Sequence, residues 1–437
     1  MEASRLMIMS ARQPRNLVLL TMLMQIMFGL LQAVEEWQAV SEEEKLGMER
    51  QLKIINKSPV KSFKTDYGDI FDCIDIYKQH AFDHPLLKDH KVQMRPKHIP
   101  ESMVRGKSPR FLPKHIKCPP GSVLIKRTTQ EDLIMDKKIK ALGLINYPTS
   151  SHFNTTGVGP IDLTIGNAYA AAHYEKHNFG AKTIMNVWSP TTLSDQASFA
   201  YLWIANGPAD ALNVVQAGWG VQPQLFSSNY TRLLTYWTVD GYRKTGCTNY
   251  LCPGFVQVHR QISLGMVLNQ ISIYNGTQSD IEIAILRDGE WWLKLFNQFI
   301  GYWPQKLFYY MYGGANVAVW GGMAASPTNE LSPPMGSGHF PKDGHQNKSA
   351  YFKQTRIWDN VNFVDPEADK LVLSATRPDC YGSETAPDDA APNAIDFFMG
   401  DQDNVIFETR MKYSFLKNFI LGGGGNKSDW TRMLFVI

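Results

Sequence analysis

The chain has 437 residues, long enough for two or three domains around sizeable cores. Charged residues make up 19% and aromatics 12%, which excludes a disordered or collagen-like polymer. The formal net charge of +3 is too small to argue for nucleic acid, and the aromatics fall in strand-like runs without basic stripes between them.

Arg5, Arg12 and Arg15 precede an apolar run from Leu17 to Val34, after which Glu35 and Glu36 open a charged segment. This is the layout of a secretory signal peptide over residues 1–34, with Ala33 or Val34 at the cleavage position. A retained signal anchor is the rival, because such a run approaches the length of a membrane span. No later run is long enough to cross a bilayer. Residues 35 to about 60 read as an amphipathic helix carrying Trp37, Val40, Leu46, Met48 and Leu52. Ile70, Cys73, Ile74 and Ile76 mark a short strand, and residues 95–120 have the Pro- and Lys-rich composition of an exposed link. Cys118-Pro119-Pro120-Gly121 then turns into the strand SVLIKRT. The charged stretch Gln130–Leu144 reads as a helix, and 146–159 as a linker.

After about residue 160 the pattern changes to short β-branched and aromatic runs closed by Gly, Asn, Asp or Pro. They cover 182–188, 198–204, 212–221, 233–238, 255–258, 267–274, 281–286, 290–296, 315–320 and 352–358. So many strands with little helical periodicity predict an all-β sandwich or barrel. Cys247 and Cys252 lie between two of these runs. In an oxidising compartment they would form a disulfide; half of a metal site is the alternative, but no second ligand pair has a matching spacing. Six Asn-x-Ser/Thr sequons occur, at Asn56, Asn154, Asn229, Asn275, Asn347 and Asn426. With the leader and the cysteine pair they predict a secreted, extracellular protein. Asn154, Asn229, Asn275 and Asn347 are the candidate glycosylation sites.

Other patterns weigh less. His173 and His177 would share a helix face like zinc ligands, but Glu175 is in the wrong slot for HExxH, and Ala170–Ala172 suggest a buried strand or short helix. Gly336-Ser337-Gly338-His339 reads as a tight loop rather than a nucleophile. An isoleucine-flanked Cys73 reads as a small core residue rather than a reactive thiol. No metal and no cofactor are expected.

The phrases TDYGDIFDCIDIYKQHAFDHPLLKDHK, CPPGSVLIKRT, GWGVQPQLF, LLTYWTVDGYRKTGCTNYLCPGFVQV, WWLKLFNQFIGYWPQKLF and MGSGHFPKDG occur in order from about Val60 to about Gly424. Together they resemble neprosin and its plant relatives, secreted glutamic prolyl endopeptidases and their homologues. The resemblance implies a smaller α+β inhibitory activation domain, with linker, over residues 35–150. It further implies a two-sheet antiparallel β-sandwich over 160–425 with a substrate groove on one face, followed by a divergent tail, 426–437. The activity it implies is acid-favoured cleavage beside proline without a metal.

Such a peptidase uses one carboxylate to activate water and a second group to stabilise the oxyanion or protonate the leaving amine. The first family glutamate falls at Gln216 in Val215-Gln216-Ala217-Gly218-Trp219, and the second at Met323 after Trp320-Gly321-Gly322. An amide can polarise an oxyanion, whereas a thioether neither holds nor gives a proton. Glu330, in a Pro-rich loop, is a poor substitute. The resemblance also implies a partner for Cys380 after the Gly422–Gly425 turn, where this chain has no cysteine. Tyr236, Trp219, Trp237 and Trp320 are candidates for the groove, although packing between two sheets is the default for tryptophans such as Trp219 and Trp237. Three readings follow: a catalytically impaired peptidase homologue, an active acid prolyl endopeptidase with a differently placed acid pair, and a non-catalytic wall- or peptide-binding protein. The partners they imply are proline-containing peptides, cell-wall polymers and the chain's own activation domain.

Overall fold

The computed structural model describes residues 42–100, 115–141, 167–327, 332–343, 347–385 and 395–401. The signal segment, the linker, Asn154, Glu330, Asn426 and the glycine-rich tail lie outside these residues. The chain divides into two units, residues 1–53 and 54–437. In the first, the described residues belong to the helix Glu42–Ile55. It stops short of residue 60 because Pro59 disfavours helical backbone at Ser58.

The second unit begins with a three-stranded antiparallel sheet of β1 (Lys61–Lys64), β2 (Ile70–Asp75) and β3 (Ser122–Lys126), followed by the helix Gln130–Ala141. Cys73 and Cys118 form a disulfide (S–S 2.07 Å) that staples β2 to the turn leading into β3. Cys73 is the expected core residue, fully buried, and it is in addition half of a disulfide.

The rest forms two stacked antiparallel sheets. Its strands are β4 (Asn167–Tyr174), β5 (Gly180–Asn186), β6 (Ala197–Asn206), β7 (Asn213–Val221), β8 (Arg232–Thr238), β9 (Cys247–Thr248), β10 (Val256–Gln257), β11 (Asp280–Asp288) and β12 (Glu290–Leu295). They continue with β13 (Gln298–Trp303), β14 (Val317–Ala325), β15 (Ala350–Trp358), β16 (Phe363–Val364), β17 (Leu371–Ala375), β18 (Tyr381–Thr385) and β19 (Ile395–Asp401). One sheet runs β17-β4-β14-β6-β7-β8-β9; the other runs β10-β13-β12-β11-β5-β15-β19-β18, with β16 beside β15. The expected two-sheet sandwich is the observed one.

Between the sheets, Trp219, Trp320 and Leu202 pack against Ile283, Trp291 and Phe352. A buried indole N–H needs a partner, and for Trp219 and Trp320 the opposite sheet supplies it. Trp219 Nε1 donates to the Asn186 carbonyl at 2.9 Å, and Trp320 Nε1 to the Lys182 carbonyl at 3.2 Å.

One local reading changes, and one open choice is settled. The run 267–274 is no strand: Leu268 N–H donates to the Thr231 carbonyl in one sheet, and Ser272 N–H to the Val187 carbonyl just past β5 in the other. A segment that crosses between sheets cannot build a ladder with either. Ala170–Ala172 form a strand, because small side chains let β4 lie close between β14 and β17. His173 therefore sits on a sheet face, bonded to Ser374 Oγ at 2.7 Å, while His177, past the strand end, packs edge-on to Phe179. Ser337 lies in a tight loop, its Oγ accepting from His339 N–H at 3.3 Å.

The sequon asparagines fall in two kinds of setting. Asn229, Asn275 and Asn347 are exposed. Asn56, by contrast, donates its Nδ2 to the Thr128 carbonyl at 2.8 Å and accepts from Thr128 N–H at 2.9 Å. Expressed through a eukaryotic secretory pathway, the folded protein should carry glycan at the exposed sites and little at Asn56, as read by site-resolved mass spectrometry. High occupancy at Asn56 would contradict the folded pairing.

Candidate functional site

The outer face of the seven-stranded sheet carries the two positions where the family acids are expected. Residues directly opposite in a ladder share a face. Gln216 lies opposite Trp203, which lies opposite Val319; Phe199 lies opposite both Gly220 and Met323. Gln216 and Met323 thus project from one face, two strands apart and offset by four residues along β6. That is about 10 Å across and about 13 Å along.

Tyr201 stands midway, opposite Gly218 on β7 and Gly321 on β14. A Cβ on Gly218 would meet the Ala200 carbonyl at 1.9 Å, and one on Gly321 would meet the Ala170 carbonyl at 2.6 Å. Only glycine fits beside this tyrosine. The motifs Gly218-Trp219 and Trp320-Gly321 are therefore one device used twice: the glycine clears the outer face while the tryptophan fills the inner core.

This corrects three of the four groove candidates. Trp219, Trp237 and Trp320 belong to the core between the sheets, by strand alternation, and only Tyr236 faces outward. The outer face is instead floored by Tyr169, Phe199, Tyr201 and Trp203, with Tyr242 packed against it from the β8–β9 loop. Alternation along Phe199-Ala200-Tyr201-Leu202-Trp203 was the available signal for them.

Gln216 is fully buried. Its Nε2 donates to Tyr242 Oη at 2.8 Å, and Tyr242 stacks on Tyr236 with ring centroids 5.7 Å apart. Its Oε1 has no hydrogen-bond partner among the described residues. A buried acceptor without a donor is costly unless something supplies one. Burial pushes the Tyr201, Tyr236 and Tyr242 hydroxyls up, so all three stay neutral at any physiological pH.

Among the described residues two carboxylates bear on this face, and neither comes from a strand. After burial, the Asp136 charge is the next cause raising Tyr236, followed by Asp240. Burial alone would raise the Asp240 carboxyl, but hydrogen bonds from Thr245, Lys244 N–H and Thr238 hold it below its ordinary value. That set of bonds closes the turn after β8. Asp136 belongs to the helix Gln130–Ala141, whose Met135 packs with Leu225 and Phe226 on the helical turn Pro223–Phe226. Cys247 and Cys252 form a disulfide (S–S 2.11 Å) beside this site, at β9. Among the described residues no cluster of three or more potential ligands is placed to hold a metal ion.

Two family models match the chain: the neprosin activation peptide over residues 62–173 and neprosin over 194–400. The chain belongs to the neprosin family. As a peptidase-like member, it carries the activation-peptide region ahead of the sandwich. The neprosin match takes in Gln216, Met323, Tyr201 and Tyr242, and the activation-peptide match takes in Tyr169 and the helix bearing Asp136. Among solved structures the chain is similar to scytalido-glutamic peptidase with a transition state analog inhibitor. That likeness has 12% identity and a TM-score of 0.31, covering 54% of this chain and 97% of that one. It is also similar to SCP-B, a member of the eqolisin family of peptidases, in complex with the tripeptide Ala-Ile-His, at 12% identity and a TM-score of 0.29 with the same coverage.

Proposed function

We propose that this protein is a secreted neprosin-family member whose groove binds extended, proline-containing peptides but no longer hydrolyses them. One observation carries the reading: the seven strands that build the face contain no aspartate or glutamate at all. Where the family places its acids, this chain presents the Gln216 amide and the Met323 thioether, so no strand-borne carboxylate can deprotonate water; the one imidazole on the same face, His173, is bonded to Ser374 Oγ at 2.7 Å. What remains suits binding. Aromatic rings offer flat apolar surface to proline rings, neutral hydroxyls offer donors, and Gln216 Oε1 offers an acceptor to a peptide N–H.

Two signals support export from the cell. One is the leader-like N-terminus, and the other is the pair of disulfides, which fit an oxidising compartment.

The test is an assay of the purified protein at about pH 4, within the carboxylate range. Proline-containing peptides should remain intact over days, while Trp or Tyr fluorescence reports their binding. Turnover that survives repurification would refute the loss of catalysis.

A second reading rests on Asp136, the acid from the activation-peptide region that bears on Tyr236. If it pairs with Gln216 as a substitute acid, the unaltered protein cuts peptides at low pH and Asp136→Asn abolishes the cutting. An unaltered protein that is already inert disposes of this alternative.

A further inference from the structure

We propose that residues 54–141 are a permanent part of the folded unit, remaining bound as a non-covalent subunit after the chain is cut between them and the sandwich. An activation peptide suggests something shed. The packing here points the other way, and this inference does not depend on whether the groove is catalytic.

The apolar residues of the segment are not a separate core resting on a finished surface. Phe71, Leu87, Ile116 and Leu124 are each at most 1% exposed, and they belong to the same cluster as Phe255 and Ile262 of the sandwich. A second cluster joins Ala81 of the segment to Val256, Trp292 and Tyr302 on the outer face of the other sheet. Taking the segment away would open both clusters to water at once.

The polar contacts are two-way and mostly backbone. Gln79 Nε2 donates to the Gln257 carbonyl at 2.9 Å, while Gln257 N–H donates to Gln79 Oε1 at 2.8 Å. Cys118 N–H donates to the Arg260 carbonyl at 3.0 Å, and Arg260 Nε returns a bond to the Cys118 carbonyl at 2.8 Å. Leu124 N–H reaches the His259 carbonyl at 3.3 Å. Away from this line, Arg232, 1% exposed on β8, pairs with Asp69 at 2.7 Å. Desolvated and reciprocal contacts of this kind resemble the interior of one domain more than a transient interface. Both disulfides lie within one piece or the other, so neither ties the two together.

The experiment places a sequence-specific protease site within residues 142–166 of the full chain. The purified protein is cut and passed through size exclusion at neutral pH and high salt, where surface ion pairs are screened. Both pieces should elute together in equal amounts, and the amides of 256–264 should keep the hydrogen-exchange protection they have in the uncut protein. An N-terminal piece eluting alone, with those amides exchanging freely, overturns the proposal. Gln79→Ala, which leaves the apolar seat intact, should weaken retention of the cut pieces by about tenfold. No change on dilution would show that the Gln79–Gln257 contact does not hold the segment.

Discussion

Glutamate placed at both 216 and 323 should convert an inert protein into an acid-active endopeptidase, whereas either substitution alone should not. The two positions share a face, with the Tyr201 hydroxyl between them. Each side chain can reach inward from Cα positions about 10 Å apart across the sheet and about 13 Å apart along it, leaving room for a water and a scissile peptide. One carboxylate must be ionised and the other protonated, and burial raises both. General acid–base participation contributes on the order of 10²–10⁴-fold, so the step from one acid to two should be plain against background. The same burial has a cost. A glutamate whose folded pKa is raised destabilises the fold increasingly as pH climbs above its unfolded value, so the double variant should be less stable at pH 7 than at pH 4. Rates should therefore be read near pH 4, with folding checked there by near-UV circular dichroism. A double variant that is folded at that pH and cleaves nothing would remove Gln216 and Met323 as the replaced pair.

Acidification should loosen the seat of residues 54–141, and His259 is the main sensor. Burial pushes its imidazole down to about 4, aided by Arg260 and Lys117 and opposed by a hydrogen bond with Gln298. The neutral ring is needed, because Nδ1 accepts from Gln261 N–H at 3.1 Å and from Ile262 N–H at 2.8 Å. The sign follows from proton counting. Between the unfolded value of 6.5 and about 4 the unfolded chain binds the extra proton, so stability is full above 6.5 and falls as pH drops through that window. At 1.36 kcal/mol per unit the loss is at most about 3 kcal/mol. Burial also lowers His80, His84 and His90, which add in the same direction, whereas Glu290, raised by burial, opposes them. Urea midpoints should decline from pH 7 to pH 4, and His259→Gln, which keeps an acceptor without a titrating ring, should flatten the decline. A variant that tracks the unaltered protein at every pH would move the sensor elsewhere.

Much of this architecture can be read from residue order, and the misreadings share a cause. Period-two alternation separates an inner face from an outer one only where the outer face meets water. In β7 every residue from Asn213 to Val221 is buried, so the pattern offers no way to choose between Trp219 and Gly218 for the groove. Parity resolves it once Gln216 is taken as a fixed point, which puts Trp219 inside and Tyr236 outside. Cys73 hid its partner because Cys118 lies 45 residues away, and only the β2–β3 ladder brings the two thiols together. Asp136 gave no signal at all. A charged residue on an amphipathic helix has the composition of a solvated face, and its nearness to Tyr236 arises from how Met135 packs beside Phe226.

The lack of carboxylates in the seven strands has a bearing on how the molecule senses its surroundings. The tyrosines of the recognition face stay neutral and its acids arrive from a helix and a turn, while the seat of residues 54–141 is held by imidazoles that charge as the medium sours. The acid that reaches the face through Asp136 thus comes from the very segment those imidazoles brace, so souring bears on grip and brace together.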